Sequence, residues 1–190
     1  MKVAGTDARR RLHRVEERLH PESVRAWAIE ELNELFESGA PPDPAPDGLL
    51  RGRALTSTIA GGIDALGRRL GALYMPWLGK KFDAQTNEGV NVLAASALRP
   101  MKLLWPSYEP VGTFIDRVEA FRFKTRLDRG AVDPDLEVLK IDYDFEANPA
   151  FLIRRVLDEL VRIDADLYLG KVLYRLKDEY RPIGFFVLEA

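Results

Sequence analysis

Residues Lys140–Ala190 read KIDYDFEANPAFLIRRVLDELVRIDADLYLGKVLYRLKDEYRPIGFFVLEA. Within this stretch short apolar-rich runs end at turn residues. In Leu167–Leu176 one parity holds Tyr168, Gly170, Val172, Tyr174 and Leu176; the other holds Leu167, Leu169, Lys171, Leu173 and Arg175. Both faces are largely apolar, whereas a sheet with one solvated face shows a cleaner split. Lys177-Asp178-Glu179 predicts a polar hairpin connection. Ile183–Leu188, rich in β-branched and aromatic residues, predicts the return strand. Pro182 has no N–H to donate, which places it at the start of that strand or on an edge. Gly170 and Gly184 inside strand patterns point to bulges, sharp bends or close approach of another group. Strongly bent strands are what a closing barrel needs. The stretch therefore reads as the closing half of a curved antiparallel sheet.

Upstream the pattern continues. Leu136–Phe145 sets Leu139, Ile141, Tyr143 and Phe145 on one face, and Arg117–Leu127 alternates Phe121, Phe123, Thr125 and Leu127 with Arg122, Lys124 and Arg126. Phe151–Ile163 carries both a helical and a strand pattern; the reading adopted is a short turn-like helix near Pro149 and a strand over about 157–163. Residues 94–109 mix helical and loop signals and resist assignment. Trp77–Phe82 and Gly89–Leu93 predict two short strands around a polar turn. Leu49–Thr58, interrupted by Gly52, predicts the first strand. The glycines at 61, 62, 67 and 71 do not match a phosphate-binding spacing. They accompany a helix with Ile63, Leu66, Leu70, Leu73 and Tyr74 on one side, ended by Met75-Pro76, which is placed as a lid on one end of the barrel.

The N-terminal residues differ in kind. Thr6 or Asp7 can cap a helix to about Leu19, and Pro21 can open a second, with Val24, Trp27, Ala28, Leu32 and Leu35 at helical spacing and Gly39 as its stop. Ala40–Gly48, APPDPAPDG, is an extended proline-rich connector. The expected organisation is a helical appendage over 1–40, a linker over 41–47 and a β-barrel domain over 48–190.

The 190 residues, 46 % apolar and 31 % charged, suit a globular chain with a real core. A formal charge of −2 gives no global attraction to nucleic acid, and the Arg9-Arg10-Arg11 run is read as a helix face balanced by Glu16 and Glu17. With no cysteine there is neither a disulfide nor a thiolate site. No apolar run reaches the roughly 18 residues that span a bilayer, and the N-terminus has no signal-peptide core. The expectation is a cytoplasmic protein without integral membrane association; a homodimer is compatible with the composition.

An ordered series of antiparallel strands with a lid helix after the first resembles the up-and-down barrels of the lipocalin or calycin type, giving an α+β, mainly antiparallel β class. At the position of the lipocalin GxW stands Gly52-Arg53-Ala54. The strings PWLGKKFD, VLKIDYD, RRVLDELVRI and LYLGKVLYR also resemble a family of small bacterial proteins over most of Gly48–Ala190. That resemblance implies the fold and no particular activity.

Barrels of about eight strands either fill with side chains or hold one small ligand. Here polar groups fall within strands, and buried charges are costly unless paired. The candidate ligand-binding set is Trp77, Lys80, Asn91, Phe121, Phe123, Tyr143, Asp158, Tyr168, Lys171 and Phe185. The aromatic residues supply apolar walls, and Lys80 or Lys171 is a contact for a carboxylate or phosphate. Trp77-Leu78-Gly79-Lys80 echoes Tyr168-Leu169-Gly170-Lys171, which suggests one strand geometry used twice. Asp158 and Glu159, adjacent in a strand, point to opposite faces and cannot form a carboxylate dyad. Asp142 and Asp144 share a face at a solvated edge. His13 and His20 have no companion ligands, so no metal or other cofactor is expected. The leading expectation is binding of a small hydrophobic or amphipathic ligand, lipid-like and carboxylate-bearing in one form. One alternative is a barrel enzyme of isomerase or cyclase type, with Tyr143 and Asp158 or Lys171 in acid–base roles. The other is an interaction module using the N-terminal helices.

Overall fold

The computed structural model describes residues 3–18, 25–57 and 77–190. Among the described residues nine strands run β1 Gly48–Ser57, β2 Trp77–Asp83, β3 Glu88–Ala94, β4 Gly112–Thr113, β5 Arg117–Arg129, β6 Glu137–Asp142, β7 Val156–Asp164, β8 Leu167–Leu176 and β9 Glu179–Glu189. Every pairing is antiparallel, and the order β3-β2-β1-β9-β8-β7-β6-β5 closes on itself through β3–β5. The result is a closed eight-stranded, lipocalin-like barrel, with the two-residue β4 added outside β5. Closure gives each of the eight strands a neighbour on both sides.

At one end of the barrel the connections are tight: residues 84–87, 130–136 and the turn at 165–166. At the other, 95–116, which carries α3 (Leu98–Leu104), and 143–155 are long, while the β8–β9 turn at 177–178 is tight. The lid helix expected over 63–74 lies outside the described residues. Residues 94–109, unassigned from sequence, form a short turn of helix and α3, whose Met101, with Ala97, Trp105 and Tyr108, packs into the barrel core. Ile153–Arg155 forms a turn of helix leading into β7, as the sequence suggested.

Two helices, α1 Val3–Arg18 and α2 Arg25–Glu37, lie against the outside of the wall. Ala28, Leu32, Leu35 and Phe36 recur at i, i+4, i+7 and i+8 and are fully or almost fully buried. They cover Val161, Leu167, Leu169, Phe185 and Val187. This explains why β8 reads apolar on both faces: one fills the lumen and the other lies under helices. The acids that pair with the arginine run are other than Glu16 and Glu17, and Arg9 and Arg10 stay exposed, Arg10 beside Asp7. Arg9 pairs with Asp164 and Asp166, and Arg11 with Glu31 at 2.6 Å and Glu34 at 3.0 Å. The connector is anchored too, since Ala40 bridges to Arg162 of β7. Among the described residues no helix is long and apolar enough to cross a membrane.

Pro182 lies three residues inside β9, where a register shift lies between Val172 and Leu173 of the partner strand. The missing donor is accommodated at an irregularity in the ladder rather than at the strand's start.

Candidate functional site

A polar cluster sits inside the barrel. Lys80 on β2 and Asp158 on β7 are both fully buried, with Lys80 Nζ 2.8 Å from Asp158 Oδ2. Lys80 also donates to Asn91 Oδ1 at 3.0 Å and to the Tyr143 hydroxyl. Tyr143 donates to Asp158 Oδ2 at 3.0 Å, and Asn91 Nδ2 donates to the Tyr143 oxygen at 3.0 Å. Trp77 Nε1 donates to Asn91 Oδ1 at 3.1 Å. Four rings surround the ammonium, with centroids at 5.4 Å (Trp77), 5.5 Å (Phe123), 5.0 Å (Tyr143) and 5.1 Å (Phe186). Burial pulls the Lys80 amine below its ordinary pKa, and the Asp158 charge opposes that pull.

Bulges decide which side chains join this cluster. Strict alternation would put Trp77 and Lys80, three apart, on opposite faces. Gly79 breaks the register between them, at φ +147, with a hypothetical Cβ only 2.0 Å from the Leu50 carbonyl oxygen. Both Trp77 and Lys80 therefore point inward. In β5 the irregularity falls at Phe121, whose φ of 54 is unusual for an aromatic residue. Its N–H is satisfied by the Tyr108 hydroxyl at 2.7 Å, and its ring stacks on Tyr108.

Glycine also makes room for three of the four rings. A Cβ on Gly52 would lie 2.4 Å from the Trp77 ring, on Gly89 2.4 Å from Phe123, and on Gly170 2.1 Å from Phe186. The echo between Trp77–Lys80 and Tyr168–Lys171 is thus one of residues, not of geometry. Gly79 is a bulge that turns its lysine inward. Gly170 keeps the alternation, lies beneath Phe186, and leaves Lys171 on the outer face.

The expected set divides accordingly. Trp77, Phe121, Phe123, Tyr143 and Tyr168 belong to the barrel core, and Lys80, Asn91 and Asp158 join them through the polar cluster. Lys171 and Phe185 are corrections: both lie on the outside of the wall, beneath α2. Lys171 is 2.6 Å from Asp133 and 4.6 Å from the Phe36 ring, and Phe185 packs edge-on against Phe36. Glu159 shares this outer cluster, accepting from the Ala131 N–H at 2.6 Å, with its other oxygen unpartnered; burial raises its pKa. Asp142 and Asp144 pair with Arg126 and Arg154 at the surface.

At the long-connection end Trp77, Asn91, Leu93, Phe121, Tyr143, Ile153 and Val156 line a cavity of about 10 Å³. That is about the room of one water molecule. Among the described residues the rings around Lys80 fill most of the barrel that was expected to hold a small ligand. Leu93, Ile153, Val156 and Phe186 were not foreseen as site residues; the parity of β9 relative to Gly170 would have picked Phe186 over Phe185.

No family model matches the chain, and no curated protein matches it. A solved crystal structure of a protein from Thermomonospora curvata is similar to it over 96 % of this chain and 97 % of that one, with 19 % identity and a TM-score of 0.51. This likeness supports the barrel fold.

Proposed function

We propose that the protein binds a small, mainly apolar ligand inside the barrel, at the end bounded by residues 95–116 and 143–155. The observation that carries this reading is the cavity in which Asn91 and Tyr143 present polar atoms among apolar walls, backed by the buried Lys80–Asp158 pair. A buried ion pair adds little stability over apolar residues of the same volume, so a role beyond stability is favoured for it. Sites with apolar walls and a few placed polar groups are typical of small-ligand pockets. The free volume holds about one water, so a larger guest enters by displacing side chains. Phe121, in a backbone conformation costing about 1–3 kcal/mol, lines the cavity and is the residue expected to move. Native mass spectrometry of protein purified from cells tests the proposal. A bound small molecule that is lost in Asn91→Leu supports it; a clean apo mass, with no thermal shift from any apolar probe, refutes it.

One observation favours turnover as the second reading. Tyr143 touches both the cavity and the Lys80–Asp158 pair, and the Lys80 amine is held below its ordinary pKa, an arrangement suited to proton transfer of the isomerase or cyclase kind. Incubation of candidate ligands with catalytic amounts of protein separates the two readings, since a carrier returns the ligand unchanged. Docking of a partner by the N-terminal helices is less favoured, because their apolar faces are covered by the barrel wall.

A further inference from the structure

We infer that the ligand is an uncharged molecule whose polar end is a hydrogen-bond acceptor, of the ketone or ester class, received by the Asn91 side-chain amide. This rests on the binding reading above and narrows it.

Charge balance argues first. Among the described residues, the ionised groups of the polar cluster are Lys80 and Asp158, and each is the other's partner at 2.8 Å. The other buried charges, Glu119, Lys140, Glu159 and Lys171, belong to the outer face, where they pair with Lys81, Asp128, the Ala131 N–H and Asp133. Among the described residues, a carboxylate or ammonium entering the cavity would meet no uncommitted counter-charge, and an unpaired buried ion is strongly disfavoured. The carboxylate contact expected of Lys80 is already supplied by Asp158.

The hydrogen-bond inventory of the lining gives the polarity. Asn91 Oδ1 accepts from both Trp77 and Lys80. The Tyr143 hydroxyl gives its proton to Asp158 and accepts from Lys80 and Asn91. Asn91 Nδ2 has two protons, and among the described residues only the bond to Tyr143 uses one. The function left facing the cavity is therefore an N–H. A second donor, Trp105 Nε1, is buried without a hydrogen-bond partner among the described residues at the same end of the barrel, its ring edge-on to Phe121 at 5.5 Å. The unpartnered acceptor Asp158 Oδ1 does not belong to a residue of the cavity wall. The rest of the described lining is Trp77, Leu93, Phe121, Ile153 and Val156, which suits hydrocarbon. A carbonyl oxygen satisfies an orphan N–H without bringing a proton of its own; an alcohol adds a donor for which the wall has no free acceptor.

A matched ring series tests the inference: cyclohexanone, cyclohexanol, cyclohexanecarboxylate, cyclohexylamine and methylcyclohexane, titrated into the full chain by calorimetry and by NMR. Cyclohexanone is expected to bind saturably, roughly fivefold to tenfold tighter than methylcyclohexane, and to shift the side-chain NH₂ resonances of Asn91. Because the NMR readout uses the unaltered protein, misfolding of a variant cannot obscure it. If cyclohexanecarboxylate or cyclohexylamine binds best, or if cyclohexanone binds without moving the Asn91 amide, the inference is wrong while the binding site stands. If none of the five binds saturably, the binding reading itself fails.

Discussion

The Lys80–Asp158 pair lends itself to a double-mutant cycle whose outcome is unequal between the partners. Removing one member of a buried ion pair typically costs about 3–5 kcal/mol. In Lys80→Met the Asp158 carboxylate is left in a fully buried position, with one oxygen held by Tyr143 and the other without a partner. That variant is expected at the upper end, about 4–5 kcal/mol. In Asp158→Asn the ammonium keeps Asn91 and Tyr143 as partners and remains among four rings at 5.0–5.5 Å. A desolvated cation–π contact is worth up to about 2 kcal/mol, so this variant is expected to lose only about 2–3 kcal/mol. The double variant removes both charges of the lumen pair and is expected within about 2 kcal/mol of the parent. For a chain of this size each kcal/mol moves Tm by about 2–4 °C, so Lys80→Met falls by roughly 8–20 °C and the double variant recovers most of it. Urea unfolding followed by tryptophan fluorescence and far-UV circular dichroism measures all four corners. Two mild, additive single variants would refute the idea that the two groups neutralise each other in the lumen. A reversed order, with Asp158→Asn the worse, would refute the role given to the rings.

Gly170→Ala places a methyl group against Phe186, itself edge-on to Trp77 at 5.4 Å, and is expected to cost about 1–3 kcal/mol; Phe186→Leu in the same chain should recover part of the loss in a denaturation midpoint. Phe36→Ala opens a hole beneath α2 against Phe185 and Lys171 and is expected to cost about 3–5 kcal/mol in urea unfolding. Glu159 has its folded pKa raised by burial, so the folded state binds more protons than the unfolded one between the ordinary glutamate value and the raised one. Its contribution to stability is therefore fully present below the ordinary value and falls as pH rises through that window. Glu159→Gln should flatten this decline, which Tm measured across acidic to neutral pH would reveal.

How much was legible in advance follows from what a local pattern can encode. The strand succession was readable because alternation and turn residues are local, and even the ambiguous run before β7 resolved as expected. The facing of individual side chains was not. Lys80 and Lys171 sit in near-identical four-residue strings, yet one glycine breaks the ladder and the other does not, a difference set by neighbouring strands. Phe121 posed the same problem, since nothing in its own sequence announces a positive φ. The doubly apolar character of Leu167–Leu176 was visible, but its cause, two helices lying across the outer wall, depends on contacts more than a hundred residues apart in the chain. The interior volume was likewise illegible, because it depends on glycines in one strand making room for rings from another.

Coverage by the helices makes the cylinder mechanically unequal around its circumference. From β7 to β9 the central residues are shielded on both sides, whereas β2 alternates between shielded and wet and the far half of β5 is mostly exposed. Amide hydrogens in β7–β9 should then exchange with solvent only on global unfolding, and those in β2 and β5 through smaller local fluctuations. The softer arc is the one that carries Lys80. A stiff spine opposite a compliant flank lets the cylinder breathe on one side while its registers on the other stay locked.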